Sequence, residues 1–236
     1  DIGLLREKNE DSFAVSCERG WNCFVVCDGL GGANAGEVAS RMVTDVFITS
    51  WRTGFSGCTE SIKDDLRSAV ASANRAVFRA SSSRGELTGM GTTLVAFVTY
   101  AGWGYVVNIG DSRCYSLRKK SLRLLTQDHT LAADMVRRGL LDPDDVANRG
   151  ERNFLTRVVG TAPEVEADLT SDRLKPGDRY LLCSDGLWGT VPQADLAASL
   201  KGDAPVDAAR RLVALANRFG GPDNSTAVVV DVLTEP

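Results

Sequence analysis

The chain of 236 residues is 43% hydrophobic, enough for one sizeable core, and no Pro- or Ser-rich linker divides it, so a single domain over residues 1–236 is expected. Its net charge of −4 is spread along the whole length, which excludes the basic stripe that nucleic acid or an anionic membrane surface would need. No run approaches the roughly 18 apolar residues of a membrane span, and the opening "DIGLLREKNED" is too polar for a signal peptide.

In chain order, "DSFAVSC" and "NCFVVC" read as short strands. A helix from Gly36 to Trp51 carries Val38, Met42, Val43, Val46 and Phe47 at helical spacing, and "ESIKDDLRSAVASANRAVFRAS" gives a second, with Ile62, Leu66, Val70, Ala73 and Val77 on one face. The period then changes. "GTTLVAFVTY", "GWGYVVNIG", "SRCYSLRKK" and "LRLLTQ" are β-rich runs joined by turns short enough to require antiparallel hairpins. A polar, Arg-rich stretch over 129–157 holds a short helix, "LAADMVRRG", and reads as a surface flap. Strands "VEADLTSD" and "RYLLCSD", helices "PQADLAASL" and "PVDAARRLVALANRF", and a last strand "TAVVVDVL" follow. Strands grouped with strands and helices with helices predict an α+β fold, antiparallel sheets covered by helices.

"FVVCDGLGG" ends an apolar run at Asp28. Asp-Gly there is ordinary turn chemistry. The pattern returns at Asp185-Gly186 in "RYLLCSDGLWG", at Gly110-Asp111 in "YVVNIGDSR" and at Asp223 in "FGGPDNSTAVVV". Four acids at four strand mouths, if brought together, would repel: one pair about 4 Å apart costs roughly 4 kcal/mol at an effective dielectric near 20. A hard cation, Mg²⁺ or Mn²⁺, resolves that conflict with oxygen ligands, and two such ions can activate water and neutralise charge on a phosphoryl group. Other routes to phosphate hydrolysis are missing: no cysteine begins a C-x5-R loop, one histidine cannot build a His-rich site, and there is no D-x-D-x-T or G-x-x-x-x-G-K-[ST] run. Arg6 is a candidate phosphate clamp, its bland alternative being a solvated charge near the chain start.

"REKNED", "VCDGLGG", "GMGTTLVA", "NIGDSR", "LTQDHT", "YLLCSDGLWG" and "GPDNSTAVVV", in this order, resemble the motif series of the metal-dependent Ser/Thr protein phosphatases of type 2C. "VRRGLLDPDDVANRGERNFLTRVVG" resembles the flap of the bacterial branch. The resemblance implies two central antiparallel sheets flanked by helix pairs, an αββα sandwich, with two Mn²⁺ or Mg²⁺ ions at one edge. Carried over, Asp28 bridges both ions, Gly29 gives its carbonyl to one, Asp185 and Asp223 complete the other, and Asp111 joins Asp185 at a third, weaker site. Glu10 and Asp11 match acids that orient water, Arg6 matches the phosphate-binding arginine, and Asn224 fixes the ligand it follows. Implied partners are phosphorylated proteins, among them a Ser/Thr kinase and its targets. A monomer in the cytoplasm is expected, though an anchor beyond this segment is compatible with the sequence.

One departure stands out. Where relatives reading D-G-H-G-G place a histidine proposed as general acid, this chain has Leu30. His129 is the only imidazole left as proton donor, and a lone histidine beside an acid is more often structural. Asp111 has a turn-forming alternative, "NST" at Asn224 is a chance glycosylation sequon, and Trp51, Trp103 and Trp188 are expected to pack. The six cysteines are expected to be reduced core residues. A relative that had lost catalysis and kept only binding would lack one or more of the acids, and none is missing. One dedicated phosphoprotein and many kinase substrates fit the sequence equally.

Overall fold

The computed structural model describes residues 1–18, 20–31, 35–143, 145 and 154–233. Alternation of two generates its layers. In β4 (Leu94–Tyr100), Leu94, Ala96 and Val98 face one apolar cluster, while Val95 and Phe97 face another. The first sheet runs β1 (Asp11–Glu18), β2 (Trp21–Leu30), β4, β5 (Trp103–Ile109) and β8 (Asp168–Arg173), with β3 (Gly91–Thr92) paired to the end of β2. The second runs β10 (Ala227–Asp231), β9 (Arg179–Cys183), β6 (Arg113–Arg118) and β7 (Ser121–Leu124). Every ladder is antiparallel.

Helices cover both outer faces. Ala39, Val43, Phe47 and Trp51 recur every four residues on α1 (Ala35–Gly54), and with the buried stripe of α2 (Ile62–Ser83) they close over the first sheet. On the far side Leu187 of α4 (Asp185–Trp188), Leu196 of α5 (Gln193–Ser199) and Leu212 and Ala216 of α6 (Pro205–Arg218) pack on Tyr115, Leu181 and Cys183 of the second sheet. The middle layer is aromatic. Phe97 stacks on Tyr180 at 4.3 Å between ring centroids, joining the sheets, and Gly104 leaves room because a Cβ there would lie 2.4 Å from the Phe97 ring. This is the expected αββα order.

Three expectations need correcting. Cys17 and Cys58 are exposed, because Cys17 faces outward on the edge strand β1 and Cys58 lies in the loop between α1 and α2; only the other four are in the core. Trp103 is 38% exposed, since it starts β5 beside Arg173, whereas Trp51 is fully buried. The 129–157 flap is no pure surface excursion: His129, Thr130 and Ala132 are buried, and its two ends are tied by Thr130 to Leu155 and by the Thr156 amide donating to the His129 carbonyl. Its short helix is α3 (Leu131–Arg137); positions 144 and 146–153 lie outside the described residues. No helix among the described residues is long and apolar enough to cross a membrane.

Phe97→Ala should cost about 3–5 kcal/mol, the usual penalty for emptying a buried aromatic site. Urea unfolding should show a lower midpoint at unchanged slope.

Candidate metal and phosphate site

The first ladder sets Asp11 directly opposite Asp28. Like charges so placed repel, and the surroundings make the repulsion costly. Burial, then Asp28's acidic neighbours Asp11, Asp185, Asp111 and Asp223, raises the Asp28 carboxyl well above the usual range. Asp11 is pushed up to about 6, chiefly by burial. Its Oδ2 accepts from Ser184 Oγ at 2.6 Å and Thr226 Oγ1 at 2.7 Å, whereas its buried Oδ1 has no partner.

Asp185 opens α4, after Ser184 leaves β9 in extended conformation. Burial and Asp223 raise its carboxyl, while a hydrogen bond from Asp28 acts the other way. Asp185 Oδ1 is buried without a partner. Asp111 is 6% exposed after Gly110, whose φ of +96° makes the turn; burial, Asp185 and Asp128 push it to about 8. The turn reading of this motif is met, and the turn places the Asp111 carboxyl beside the other acids.

Asp223 sits in the loop before β10. Its Oδ1 takes the Asn224 amide at 2.8 Å and its Oδ2 takes Arg6 at 2.6 Å. Gly29 has a packing reason of its own, since a Cβ there would fall 2.1 Å from the Gly36 carbonyl at the start of α1. The Glu10 carboxyl lies against Gly36 at that helix start, where the backbone amide and the dipole favour an anion, although burial raises it overall. Asn224 fixes Asp223 by its backbone; its side chain instead accepts from the Glu10 amide at 2.8 Å and donates to the Ile2 and Lys8 carbonyls at 2.9 Å.

These groups line a cleft of about 540 Å³, with Arg6 at its rim and Leu30, Leu155 and Trp188 in its walls. Among the described residues, no three acid, imidazole or thiol groups are drawn in to metal-ligand geometry; the acids are shared with Arg6, Ser184, Thr226 and one another. The donor set nevertheless fits a hard divalent cation. It offers oxygen only, its carboxyls are held against ionisation, and two buried oxygens lack any partner.

His129 requires correction as a proton donor. It is 2% exposed, its Nδ1 accepts from the Gly110 amide at 3.1 Å, and its Nε2 faces Asp168 at 3.1 Å. Arg157 holds the other Asp168 oxygen at 2.8 Å. The acceptor role of Nδ1 places the ring proton on Nε2, pointing at Asp168, and burial lowers the pKa against the opposing effect of Asp168. The ring has no proton to offer the cleft. Sequence reasoning missed Thr93, whose Oγ1 accepts the Asp28 amide at 2.9 Å, and took Trp188 for simple packing. Trp188 donates to the Asp111 carbonyl at 2.9 Å with Arg113 over its ring at 3.3 Å, and Asp128 grips Arg113 at 2.7 Å and 2.9 Å. The doubled threonine in "GMGTTLVA" was the available signal for the first.

The profile of the protein phosphatase 2C family matches residues 6–222. The chain is 35% identical over 234 residues to the serine/threonine phosphatase stp of Listeria monocytogenes, covering 98% of this chain and 93% of that protein. It is 37% identical over 233 residues to the serine/threonine protein phosphatase PstP of Mycobacterium tuberculosis, covering 99% of this chain and 44% of that one. The crystal structure of the PstP catalytic domain in complex with two manganese ions superposes with a TM-score of 0.88 at 36% identity, over 99% of this chain and 96% of that chain. The phosphatase Stp1 of Staphylococcus aureus does so with 0.93 at 30% identity, over 99% and 93%.

Carboxyls raised in the folded state bind more protons than the unfolded chain does above a pH of about 4, so they destabilise the metal-free protein increasingly as pH rises. With Asp11 near 6 and Asp111 near 8, Tm without metal should fall between pH 5 and 8. Saturating Mg²⁺ should flatten that slope. Asp28→Asn should raise the metal-free Tm at pH 8 by roughly 2–4 °C, the shift of about 1 kcal/mol in a chain of this size. Calorimetry at several pH values checks all three.

Proposed function

Since the chain belongs to the protein phosphatase 2C family, we propose that it hydrolyses phosphoserine and phosphothreonine on proteins with Mn²⁺ or Mg²⁺ as cofactor. The observation that carries this reading is a cleft lined by Asp28, Asp111, Asp185 and Asp223, with an unpartnered buried Asp185 oxygen and a guanidinium at its rim. Asp28 would be shared by two ions, with the Gly29 carbonyl at one and Asp185 and Asp223 at the other; Asp111 and Asp185 would hold a third. When bound, such ions supply Lewis acidity toward the phosphoryl oxygens and make water a competent nucleophile at neutral pH.

The protein's own groups do the rest. Arg6 grips the phosphate once its contact with Asp223 is relinquished, presenting a planar fork that matches two phosphoryl oxygens. Asp11 and Glu10 present fixed carboxylates that orient water for in-line attack. The leaving alkoxide takes its proton from water, because Leu30 has none and the His129 proton is held by Asp168. A thiolate has no part: burial raises the thiols of Cys23, Cys27, Cys114 and Cys183 far above neutrality. Six free cysteines fit a reducing compartment, and the bacterial relatives fit a cytoplasmic monomer that reverses Ser/Thr kinase signalling.

Chelation should abolish hydrolysis of a phosphothreonine peptide, and readdition of Mn²⁺ should restore it; full activity in excess chelator would overturn the reading. His129→Ala should lower phosphopeptide and aryl phosphate turnover by the same small factor. A loss confined to the phosphopeptide and reaching about 10²-fold would instead make His129 the general acid.

A further inference from the structure

Residues 1–10 form a strap laid along the loop that carries Asp223. The Ser225 amide donates to the Asp1 carbonyl at 2.9 Å and the Leu4 amide to the Gly221 carbonyl at 2.8 Å. Gly3 lies so close that a Cβ would fall 2.4 Å from the Asp223 carbonyl, and its φ is +79°. At the centre of this contact Asn224, 5% exposed, uses its amide three times: one accepted bond from Glu10 and one donated bond each to Ile2 and Lys8. An asparagine supplies an acceptor and two donors on one short plane; aspartate cannot donate, and serine is too short to reach all of them. The strap carries Arg6, and the loop carries Asp223.

The Arg6 to Asp223 ion pair cannot be what joins them. It is exposed on both sides, at 51% and 32%, and exposed pairs contribute little. It must also open for Arg6 to meet a phosphate. The buried amide stays in place when that happens.

We propose that Asn224 is a positioning residue that fixes Arg6 in the cleft, tying the phosphate-binding strap to the metal-binding loop so that the two move as one unit. The proposal rests on the reading of Arg6 as the phosphate clamp. In it, freeing the strap removes the arginine's contribution without removing the arginine.

A double-mutant cycle tests this. For the Mn²⁺-loaded protein, kcat and KM are measured on an aryl phosphate, and inorganic phosphate binding is measured by calorimetry. Arg6→Ala should raise KM and the phosphate Kd by about 10-fold or more, as expected for a lost charged hydrogen bond, with kcat little changed. Asn224→Ala should raise both similarly, and the double variant should be no worse than either single one. Amide exchange at Leu4 and Glu10 should quicken in Asn224→Ala. Gly3→Ala, which displaces the strap and leaves Asn224 intact, should reproduce the effect and covers the case in which Asn224→Ala does not fold. Wild-type phosphate affinity in Asn224→Ala or in Gly3→Ala, or losses that multiply in the double variant, would overturn the proposal while leaving Arg6 as the clamp. An Arg6→Ala protein with unchanged phosphate affinity would overturn the reading of Arg6, and the proposal with it.

Discussion

Asp11 and Asp28 face each other across the first ladder of the sheet, with Asp111, Asp185 and Asp223 close enough for their charges to act on the pair. An antiparallel sheet disfavours that arrangement, and at close range each uncompensated pair costs on the order of 4 kcal/mol. Domains have only about 5–15 kcal/mol of net stability, so the cluster can exist only against a core that outweighs it. The three apolar layers answer that need: helices on sheet, sheet on sheet and sheet on helices leave the repelling ends of β2, β5 and β9 gathered at one edge. Protons retained on the raised carboxyls of Asp28, Asp11, Asp111 and Asp185 offset part of the repulsion in the metal-free protein.

The layer order was legible in the sequence because two simple patterns write it. A continuous apolar run marks β4 as a strand buried on both faces, and apolar residues every fourth position set the buried stripe of α1. The acids were legible because each stands at one end of an apolar run, Asp28, Asp111 and Asp185 after theirs and Asp223 before its own. What the sequence hid depends on chain segments far apart. Gly29 reads as a metal-approach glycine, yet the Gly36 carbonyl alone would exclude a side chain there. Asn224 reads as an accessory of Asp223, while its amide reaches back to residues at the start of the chain. The four-residue helix α4 was hidden inside "CSDGLWG", too short for any period to show. Trp103 and Cys17 show the opposite error, apolar residue types placed where the sheet ends.

The contacts around Asp111 show how a turn and a buried acid become one device. Gly110 bends the chain, His129 takes the Gly110 amide, and Trp188 takes the Asp111 carbonyl. Trp188 is itself pinned by Arg113, and Arg113 by a two-point grip from Asp128, buried enough for the pair to act as a fixed strut. Asp168 and Arg157 hold His129 in turn, so the described end of the flap and the acid turn share supports. Trp188 and Asp111, which line the cleft, are thereby backed by Arg113, Asp128 and His129, which do not.

At two acids of the cluster the protein holds the carboxylate firmly by one oxygen and leaves the other less committed. Asp11 is fixed through Oδ2 by two hydroxyls and bare at Oδ1. Asp223 is fixed through Oδ1 by a backbone amide and offers Oδ2 to an exposed guanidinium. Asp185 gives its backbone to α4 and has a bare, buried Oδ1. Had both oxygens been satisfied by protein donors, a cation would have to displace hydrogen bonds on entry; had neither been, the carboxyls would be free to turn away from one another. For Asp11 and Asp223, one fixed oxygen keeps the group in place while the other stays less committed, so the cost of ordering those two side chains is met at folding.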